Sequence, residues 1–264
     1  MQSSDIITSR GNAHIKLALS VRKSARSRRE NGLFFLEGAR LCADAVSSGT
    51  AVLLCLYTEK AAEKYASLLL PLTEHAATCL CIDESLSGYL AETEHPQGVF
   101  CLCQARSTEV QIRADGRYIA LSFVQNPDNL GAIARSAEAF GLDALILEGG
   151  CDPYNPKAQR AAMGSLLRLP ILETEDLPAL LARCRESGMQ VWASTPQADA
   201  LPVTQANRSG GIVCVVGNEG AGLRDAILQS CTRVTIPMRG RAESLNAAQA
   251  SSVLMWEMVR EVRT

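Results

Sequence analysis

The sequence lacks any apolar run long enough to cross a membrane. A transmembrane helix needs roughly 18 or more successive apolar residues with few charges, and no such run occurs in the 264 residues. The amino terminus, MQSSDIITSRGNAHIK, also lacks the basic segment and long apolar segment of a secretory signal. We therefore expect no contact with a membrane and a cytoplasmic location.

Histidine is scarce, and the ten cysteines lack the spacing of a zinc site. Cys79 and Cys81 are separated by a single residue, as are Cys101 and Cys103, whereas zinc ligands usually have at least two residues between them. Most cysteines lie inside apolar runs, which favours buried free thiols in a reducing compartment. We expect no metal site.

The chain also lacks the overall positive charge that is typical of nucleic-acid-binding proteins, since its formal net charge is −2. Local patches can still bind nucleic acid, and one basic cluster is present. It consists of Arg22, Lys23, Arg26, Arg28 and Arg29. On a helix these residues would cover a broad face, which could be a solvated surface or a phosphate-binding patch.

The composition is that of a folded globular chain, with 47% apolar and 20% charged residues. A polar stretch, QARSTEVQIRADGR, separates two halves, and we predict domains at residues 1–106 and 117–264. Helical patterns alternate with apolar strands in both halves, which predicts two α/β domains. The strands of the second half are continuous apolar runs, as in a parallel sheet covered on both faces.

Three polar segments interrupt the second half where predicted strands end. The first is QNPDNLGAIARSAEAFG, residues 125–141. Its Asn129 is predicted to cap the following helix through the side-chain oxygen, and Arg135 falls on the second helical turn. Taken alone, an ordinary capped helix with one exposed arginine explains this segment at least as well as a functional site.

The second segment, GIVCVVGNEGAGLRDAI at residues 211–227, ends a buried strand in glycines around one acidic residue. Gly217 ends the strand, and Gly220 and Gly222 would allow a turn with positive φ. The spacing is not that of a dinucleotide or phosphate-binding loop. One interpretation is a pocket that presses backbone groups against a flat ligand, with Glu219 as its acidic wall. The other is a tight strand–helix turn.

The third segment is VTIPMRGRAESLNAAQASSVLMWE, residues 234–257. Pro237 shortens the strand, a polar loop follows, and Ser244 is predicted to cap or open the last helix. Asn246 would then lie in the first turn of an otherwise apolar helix, where an amide without a partner costs stability. Capping explains Ser244 well and Asn246 less well.

In this order, NPDNLGAIARSAEAFG, VVGNEGAGL and IPMRGRAESLNAAQASSVLMWE resemble the three motifs of the SpoU/TrmH family of RNA 2'-O-ribose methyltransferases. The resemblance covers the second half. The first half resembles, more loosely, the family's small ribosomal-protein-like RNA-binding domain. The implied fold is α/β, with a C-terminal parallel-sheet domain that carries a deep trefoil knot over roughly residues 190–264, an exception to the general absence of knots.

The resemblance also implies a cofactor. Such proteins bind S-adenosylmethionine in a bent conformation, largely through backbone groups of the knotted loops. Carried over to this chain, the residues that would line the cofactor are Gly217, Ile236, Met238, Leu245, Thr195 and Leu223.

The polar positions of the family motifs are matched by Arg135, Asn129, Glu219, Ser244 and Asn246. The family's arginine is proposed as the base or as the group that activates the ribose hydroxyl. Because arginine is essentially never deprotonated near neutral pH, anchoring an RNA phosphate is an equal alternative for Arg135. Glu219 would orient Arg135 or Asn129, and Ser244 and Asn246 would shape the pocket.

The resemblance thus implies a homodimer, packed through the knotted domain, that methylates RNA. Ribosomal RNA is the expected substrate, transfer RNA is an alternative, and the basic cluster becomes a candidate RNA contact. A non-catalytic RNA-binding or ribosome-assembly protein and a base-modifying enzyme are the competing hypotheses. The complete polar set argues against the former, and SLNAAQA in the third motif favours the ribose.

Overall fold

The structure is a computed structural model that describes residues 6–106 and 110–260. Its α-helices are α1 (Ala13–Lys23), α2 (Ala25–Asn31), α3 (Ala39–Ser47), α4 (Glu59–Lys64), α5 (Ala66–His75), α6 (Glu84–Leu90), α7 (Pro127–Ala139), α8 (Pro156–Ala162), α9 (Ser165–Arg168), α10 (Leu177–Glu186), α11 (Asp225–Ser230) and α12 (Ala247–Val259). Its strands are β1 (Leu33–Glu37), β2 (Val52–Tyr57), β3 (Thr78–Cys81), β4 (Val99–Gln104), β5 (Arg117–Ser122), β6 (Ala144–Glu148), β7 (Ile171–Glu173), β8 (Gln190–Ser194), β9 (Leu201–Pro202), β10 (Ile212–Val216) and β11 (Thr232–Thr235).

The described residues divide into two compact units. The first holds residues 6–106 together with Pro153–Leu167, and the second holds residues 110–152 and 168–260. The segment Pro153–Leu167 lies within the predicted second domain, but its helix α8 packs against β1 of the first unit. The boundaries of the functional domains, 1–106 and 117–264, stay a prediction.

The first unit contains a four-stranded sheet in the order β1-β4-β2-β3. Strand β4 is antiparallel to β1 and β2, while β3 is parallel to β2. Helices α3 and α5 pack on one face, around Leu36 and Cys101, and α1 and α6 cover the other, around Phe35 and Phe100. The basic cluster lies on α1 and α2, which break at Ser24 because its side chain caps α2.

The second unit is built on a seven-stranded sheet in the order β7-β6-β5-β10-β8-β11-β9. Every pairing in it is parallel, which confirms the sheet predicted from the apolar runs. Successive residues of β10 point to opposite faces. Val213 and Val215 pack towards α10 and α11, while α12 packs over the other face. All of β10 is therefore buried.

The sheet order differs strongly from the chain order. Strand β10 inserts between β5 and β8, and β11 inserts between β8 and β9. After β11 the chain returns to the centre of the sheet, where α12 packs on α7, β5 and β10. The strands β5, β10, β8 and β11 are therefore consecutive in the sheet. The loop after each of them carries candidate residues.

The ten cysteines are free thiols, and most are buried. Burial raises the pKa of the Cys214 thiol to about 12, so it is protonated and unreactive at neutral pH. Within residues 6–106 and 110–260, no helix is long and apolar enough to cross a membrane. In the same residues, no group of three or more histidine, cysteine, aspartate or glutamate side chains is arranged to hold a metal ion.

Candidate active site

The three polar segments leave adjacent strands at one edge of the second unit's sheet. The first follows β5, the second follows β10 and the third follows β11, while Thr195 follows β8. The carboxyl ends of parallel strands share an edge, and ligands of α/β proteins bind at that edge. With a spacing of about 4.8 Å between strands, β5 and β11 are only about 14 Å apart. The topology therefore brings the predicted segments together.

Glu219 joins the second segment to the first. Its carboxylate accepts hydrogen bonds from the backbone N–H groups of Gln125 (3.3 Å) and Asn126 (3.2 Å). It also accepts one from the side-chain amide of Asn129 (3.0 Å). Of the two partners expected for Glu219, the structure has Asn129 and not Arg135. The loop after β5 is thereby held against the loop after β10.

The pKa of Glu219 is lowered from its ordinary value of 4.5. Partial burial by itself raises the pKa, but the hydrogen bonds outweigh it, above all the one from Asn129. The carboxylate is therefore ionised at neutral pH, and three donors already occupy most of its acceptor positions. Such a group is a poor general base, and its geometry fits a positioning role.

The turn after β10 depends on its glycines. A Cβ at Gly217 would lie 2.4 Å from the backbone carbonyl carbon of Gly222, so no side chain fits there. Gly222 has a φ of +68°, as expected, whereas Gly220 does not have a positive φ. The side-chain oxygen of Asn218 accepts two N–H groups inside the turn, each at 2.9 Å. The result is a compact turn that presents Glu219 to the neighbouring loop.

Asn126, and not Asn129, caps helix α7. The side chain of Asn126 accepts the N–H of Asp128 at 2.8 Å, and Pro127 occupies the first helical position. The prediction that Asn129 caps this helix is wrong by three residues, because proline favours the first position after the cap. Asn129 instead lies within the first turn, where its side chain reaches Glu219.

Arg135 lies on the third turn of α7, one turn later than predicted because the helix already begins at Pro127, and it is exposed. Among the residues that the structure describes, none accepts a hydrogen bond from Arg135 or forms an ion pair with it. The next residue, Ser136, hydrogen-bonds Ser252 of α12 at 2.9 Å. The helix is therefore fixed on α12, while the guanidinium of Arg135 is available to a ligand.

The loop after β11 has a different character. None of residues 238–245 makes a hydrogen bond to another residue within the described part of the chain. Ile236, Met238 and Leu245 are partly buried, and Ser244 is exposed. Backbone N–H and C=O groups always need a partner, so those of this loop depend on solvent or a ligand.

Asn246 is the capping residue of the last helix. Its side-chain oxygen accepts the N–H of Gln249 at 2.7 Å, and α12 begins at Ala247. The prediction that Ser244 caps this helix, with Asn246 inside the first turn, is therefore wrong. Serine and asparagine have similar capping preferences, so the sequence could not separate them. The amide nitrogen of Asn246 has no partner among the described residues.

Two further candidates for cofactor contact are buried. Thr195 donates its N–H to the carbonyl of Val234 (3.0 Å), and its hydroxyl accepts the N–H of Gln197 (3.3 Å). Leu223 packs in the core beside Ile227, under the turn after β10. Both side chains are buried under the loops that follow the strands. Their contact with a cofactor stays a prediction.

The structure divides the basic cluster of the first unit. Arg22 donates to two backbone carbonyls at the end of α6, and Arg28 donates to two carbonyls at the end of α1. Both side chains thus satisfy helix carboxyl ends. Lys23, Arg26 and Arg29 are exposed. These three are the members that can reach a phosphate backbone.

Sequence reasoning missed Phe123, Asn126 and Asn218. Asn126 and Asn218 lie directly beside Pro127 and Glu219, and this adjacency was the available signal. Phe123 has a φ of 57° and an exposed ring. No feature of the sequence indicates that a phenylalanine adopts this glycine-like conformation.

The loop of residues 238–245, named the open loop because its backbone makes no hydrogen bond to other described residues, has the chemistry to fit S-adenosylmethionine. The cofactor offers a flat adenine, ribose hydroxyls and a charged amino-acid end. Partly buried Ile236, Met238 and Leu245 provide apolar surface, and the unbonded backbone of residues 238–245 provides donors and acceptors for polar edges. Apolar walls with a few polar groups are the usual composition of a cofactor site.

Known proteins resemble the chain along both units. Residues 116–256 match the SpoU rRNA Methylase family, and residues 12–101 match the MRM3-like substrate binding domain. The 23S rRNA (guanosine(2553)-2'-O)-methyltransferase RlmP of Bacillus subtilis strain 168 is 30% identical, over 88% of this chain and 91% of its own length. The 23S rRNA (uridine(2479)-2'-O)-methyltransferase of Streptomyces viridochromogenes is 30% identical, over 97% of this chain and 92% of its own length.

A solved structure extends the likeness to the whole fold. The AdoMet-bound rRNA methyltransferase from Sinorhizobium meliloti superposes with a TM-score of 0.84 at 27% identity, covering 96% of each chain. AdoMet is S-adenosylmethionine. The predicted fold, a knotted parallel-sheet domain preceded by a smaller α/β domain, is confirmed.

Proposed function

The chain belongs to the SpoU rRNA methylase family, and we propose that it methylates a ribose 2'-hydroxyl of ribosomal RNA with S-adenosylmethionine. The observation that carries this proposal is the hydrogen bond from Asn129 to Glu219. It couples the loops of the first and second motifs at the sheet edge where the open loop of the third motif also begins. Polar groups for the hydroxyl and free backbone for the cofactor thus share one edge.

When bound, S-adenosylmethionine supplies a methyl group on a positively charged sulfur, which is a good electrophile for a weakly nucleophilic hydroxyl. The unbonded backbone of residues 238–245 supports binding of its polar groups. The residues that we propose to hold it are Gly217, Ile236, Met238, Leu245, Thr195 and Leu223.

Asn129 is proposed to orient the ribose hydroxyl. Its amide nitrogen donates to Glu219, so its side-chain oxygen is left to accept a hydrogen bond from the 2'-hydroxyl. Glu219 stays ionised and fixes the amide in this orientation. Holding a nucleophile in line with its target in this way can supply much of the acceleration of a transfer reaction.

Arg135 is proposed to anchor an RNA phosphate next to the target ribose. Its exposure and its lack of a partner among the described residues support this role, because a guanidinium binds phosphate through two parallel hydrogen bonds. A role as general base fits poorly, since the group keeps its proton at neutral pH.

Asn246 and Ser244 complete the proposed pocket. The side-chain oxygen of Asn246 is occupied by helix capping, whereas its amide nitrogen can donate to the hydroxyl or the cofactor. Ser244 is exposed two residues earlier in the open loop. We propose that its hydroxyl becomes ordered together with that loop.

Ribosomal RNA is the proposed substrate, because both curated relatives methylate 23S rRNA. One acts on a guanosine and the other on a uridine, which supports recognition of the ribose and of the RNA shape rather than of one base. The match of the first unit to a substrate-binding domain supports RNA contact there, through Lys23, Arg26 and Arg29. Action on ribosomal RNA also supports a cytoplasmic location.

The test combines cofactor binding with methyl transfer. Calorimetry with S-adenosylmethionine should show one site per chain, and tritiated methyl groups should pass to an unmodified 23S rRNA transcript. Digestion should find the label on a ribose. Transfer to tRNA transcripts alone would move the proposal to the transfer-RNA alternative. Absence of both binding heat and label would favour a non-catalytic RNA-binding or assembly protein.

A homodimer through the second unit is also proposed. On α12, Trp256 is 52% exposed and Val253 is 38% exposed, and the Trp256 ring lies 5.8 Å from that of Phe140, which directly follows α7. Exposed apolar surface of this kind suits a two-fold interface. Sedimentation should show a dimer that Trp256→Glu converts to a monomer. A wild-type monomer at micromolar concentration would contradict this.

A further inference from the structure

We propose that Phe123 is a stacking platform for a nucleobase of the RNA beside the ribose that is methylated. This inference rests on the proposed function and assigns a substrate-positioning residue to the same site. Phe123 directly follows β5, at the sheet edge that carries the motif loops. Its side chain is 42% exposed, which is unusual for a phenylalanine so close to the core of a sheet.

The backbone holds Phe123 in an unfavourable conformation. Its φ of 57° lies in the left-handed region, which a bulky side chain rarely adopts. Its N–H donates to the carbonyl of Glu148, and its carbonyl accepts the side-chain amide of Asn218, each at 2.9 Å. Asn218 directly precedes Glu219, so the turn that positions Asn129 also fixes Phe123. A strained conformation held from two sides at a candidate site indicates a functional role.

The ring itself has a defined place. A Cβ at Gly149 would lie 2.7 Å from the Phe123 ring, so the ring occupies the space that glycine leaves. The guanidinium carbon of Arg224 lies 5.5 Å from the ring centroid. Arg224 pairs with the carboxylate of Glu148, which is 3% exposed and also accepts the hydroxyl of Ser122 at 2.7 Å. The cation beside the ring is thus held by a buried anion.

An exposed aromatic ring next to a fixed guanidinium is suited to a nucleobase. Proteins bind single-stranded RNA by stacking unpaired bases on aromatic rings and on arginine planes. An aliphatic contact would need neither the flat face nor the cation. The ring and Arg224 together therefore indicate an aromatic ligand.

The position of Phe123 favours the RNA over the cofactor. The cofactor candidates follow β10, β8 and β11, whereas Phe123 follows β5 and contacts Gly149, which follows β6. The contact with Gly149 lies on the β6 side of β5, away from β10, β8 and β11. Asn129 and Arg135, the proposed ribose and phosphate contacts, belong to that first motif.

The test compares three substitutions at one position. Phe123→Gly removes the ring and relieves the backbone, since glycine accepts positive φ, so its unfolding temperature should not fall by more than a few degrees. Its KM for an unmodified 23S rRNA transcript should rise about tenfold to a hundredfold, the usual effect of losing one stacked base. Its affinity for S-adenosylmethionine should not change.

The other variants separate stacking from simple apolar contact. Phe123→Leu keeps an apolar side chain without a flat face and should behave like Phe123→Gly. Phe123→Trp keeps a flat aromatic face and should have a KM for RNA close to that of the wild type. Met163→Gly is the matched control, because Met163 is also exposed and also has a positive φ. It should leave the KM for RNA unchanged.

A second readout does not depend on turnover. Short-wave ultraviolet light should crosslink the wild-type protein to the same transcript, with an RNA adduct on the peptide that contains Phe123. If the wild type transfers no methyl group, the proposed function fails while the adduct still supports stacking. The absence of the adduct, or a wild-type KM in both Phe123→Gly and Phe123→Leu, would overturn the inference. A change of oligomeric state with an unchanged KM would assign the ring to a contact between copies and also overturn it.

Discussion

The loops after β5 and β10 differ sharply from the loop after β11, although all three begin at the same sheet edge. In the first two loops, Glu219 accepts hydrogen bonds from Gln125, Asn126 and Asn129. Asn218 donates its side-chain amide to the carbonyl of Phe123 and closes the network. In the third, residues 238–245 make no hydrogen bond to the described residues. The first arrangement resembles a site prepared before the ligand arrives. The second resembles a segment that the ligand itself completes.

We propose that the two sides of the site have separate roles. A nucleophile must be held accurately at the moment of transfer, which a rigid network achieves. A cofactor that enters and leaves needs a segment that can open and can then satisfy its backbone groups by binding. We therefore expect substitutions in the network to affect turnover, and substitutions around the open loop to affect cofactor affinity.

The largest effect is expected from Arg135→Ala, in the helix that follows the first loop. Turnover should fall by more than about a hundredfold, because the ribose hydroxyl is no longer held in line with the methyl group, while calorimetry should find unchanged affinity for S-adenosylmethionine. Arg135→Lys keeps the charge without the planar fork and should have intermediate activity. Turnover of Arg135→Ala within tenfold of the wild type would contradict the assignment.

A smaller effect is expected from Glu219→Gln, which replaces one acceptor oxygen by a donor. Asn129 loses its fixed orientation, so kcat should fall by about tenfold to a hundredfold with little change in cofactor affinity. Asp225→Asn removes an exposed carboxylate from the start of α11 and is the matched control. Equal losses in the two variants would contradict a specific role for Glu219.

The pH dependence of stability gives a second readout for Glu219. Its pKa is lowered in the folded protein, so its contribution is present above the ordinary value of 4.5 and is lost as the pH falls through the folded value. The difference in unfolding temperature between the wild type and Glu219→Gln should therefore shrink as the pH falls below 4.5. A difference that grows towards acid would contradict the network.

Gly217→Ala tests the close backbone approach in the turn after β10. The added Cβ would lie 2.4 Å from the backbone of Gly222, and overpacking of this kind costs about 1–3 kcal/mol. The unfolding temperature and the affinity for S-adenosylmethionine should both fall. Gly220→Ala is the matched control, because its Cβ would meet only the Asn218 oxygen, at 3.6 Å. Similar behaviour of the two variants would show that the close approach is unimportant.

The smallest effect is expected in the first unit. Its basic cluster also contains side chains that are bonded within the fold and exposed side chains that can meet a ligand. Replacing the three exposed residues Lys23, Arg26 and Arg29 by glutamine should weaken the salt dependence of RNA binding. The magnitude of the negative slope of log binding constant against log salt concentration should decrease by about 2–3. Arg26 pairs with Glu30 on the surface, and such a pair is weak enough to yield to a phosphate.

The matched variant replaces Arg22 and Arg28, whose hydrogen bonds are made within the fold. Here the unfolding temperature should fall while the salt slope changes little, because two helix ends lose their donors. If the salt slope instead changed on replacement of Arg22 and Arg28, and not on replacement of the exposed three, our assignment of the RNA contacts would be wrong.

Much of the second unit could be predicted from the sequence. Continuous apolar runs such as IVCVV indicate buried parallel strands, and polar segments at their ends indicate a site at one edge. The helix caps could not be predicted, because Asn126 competes with Asn129 and Ser244 with Asn246 for the same role. Such boundaries are uncertain by a few residues on local signals alone.

Other features depend on residues that are distant in the chain. Arg22 looked like a surface cation, but its donors meet the end of α6, which lies 68 and 69 positions further on. Pro153–Leu167 joins the first unit because α8 packs on β1, which no local pattern indicates. Phe123 adopts its conformation only because Glu148 and Asn218 hold its backbone.

Hydrogen exchange tests the contrast between the two sides most directly. Without ligand, the amides of Gln125 and Asn126 should already be protected by Glu219, while those of residues 238–245 should exchange rapidly. Addition of S-adenosylmethionine should strongly slow exchange at residues 238–245 and leave Gln125 and Asn126 nearly unchanged. Calorimetric binding of S-adenosylmethionine without any new protection at residues 238–245 would contradict the account.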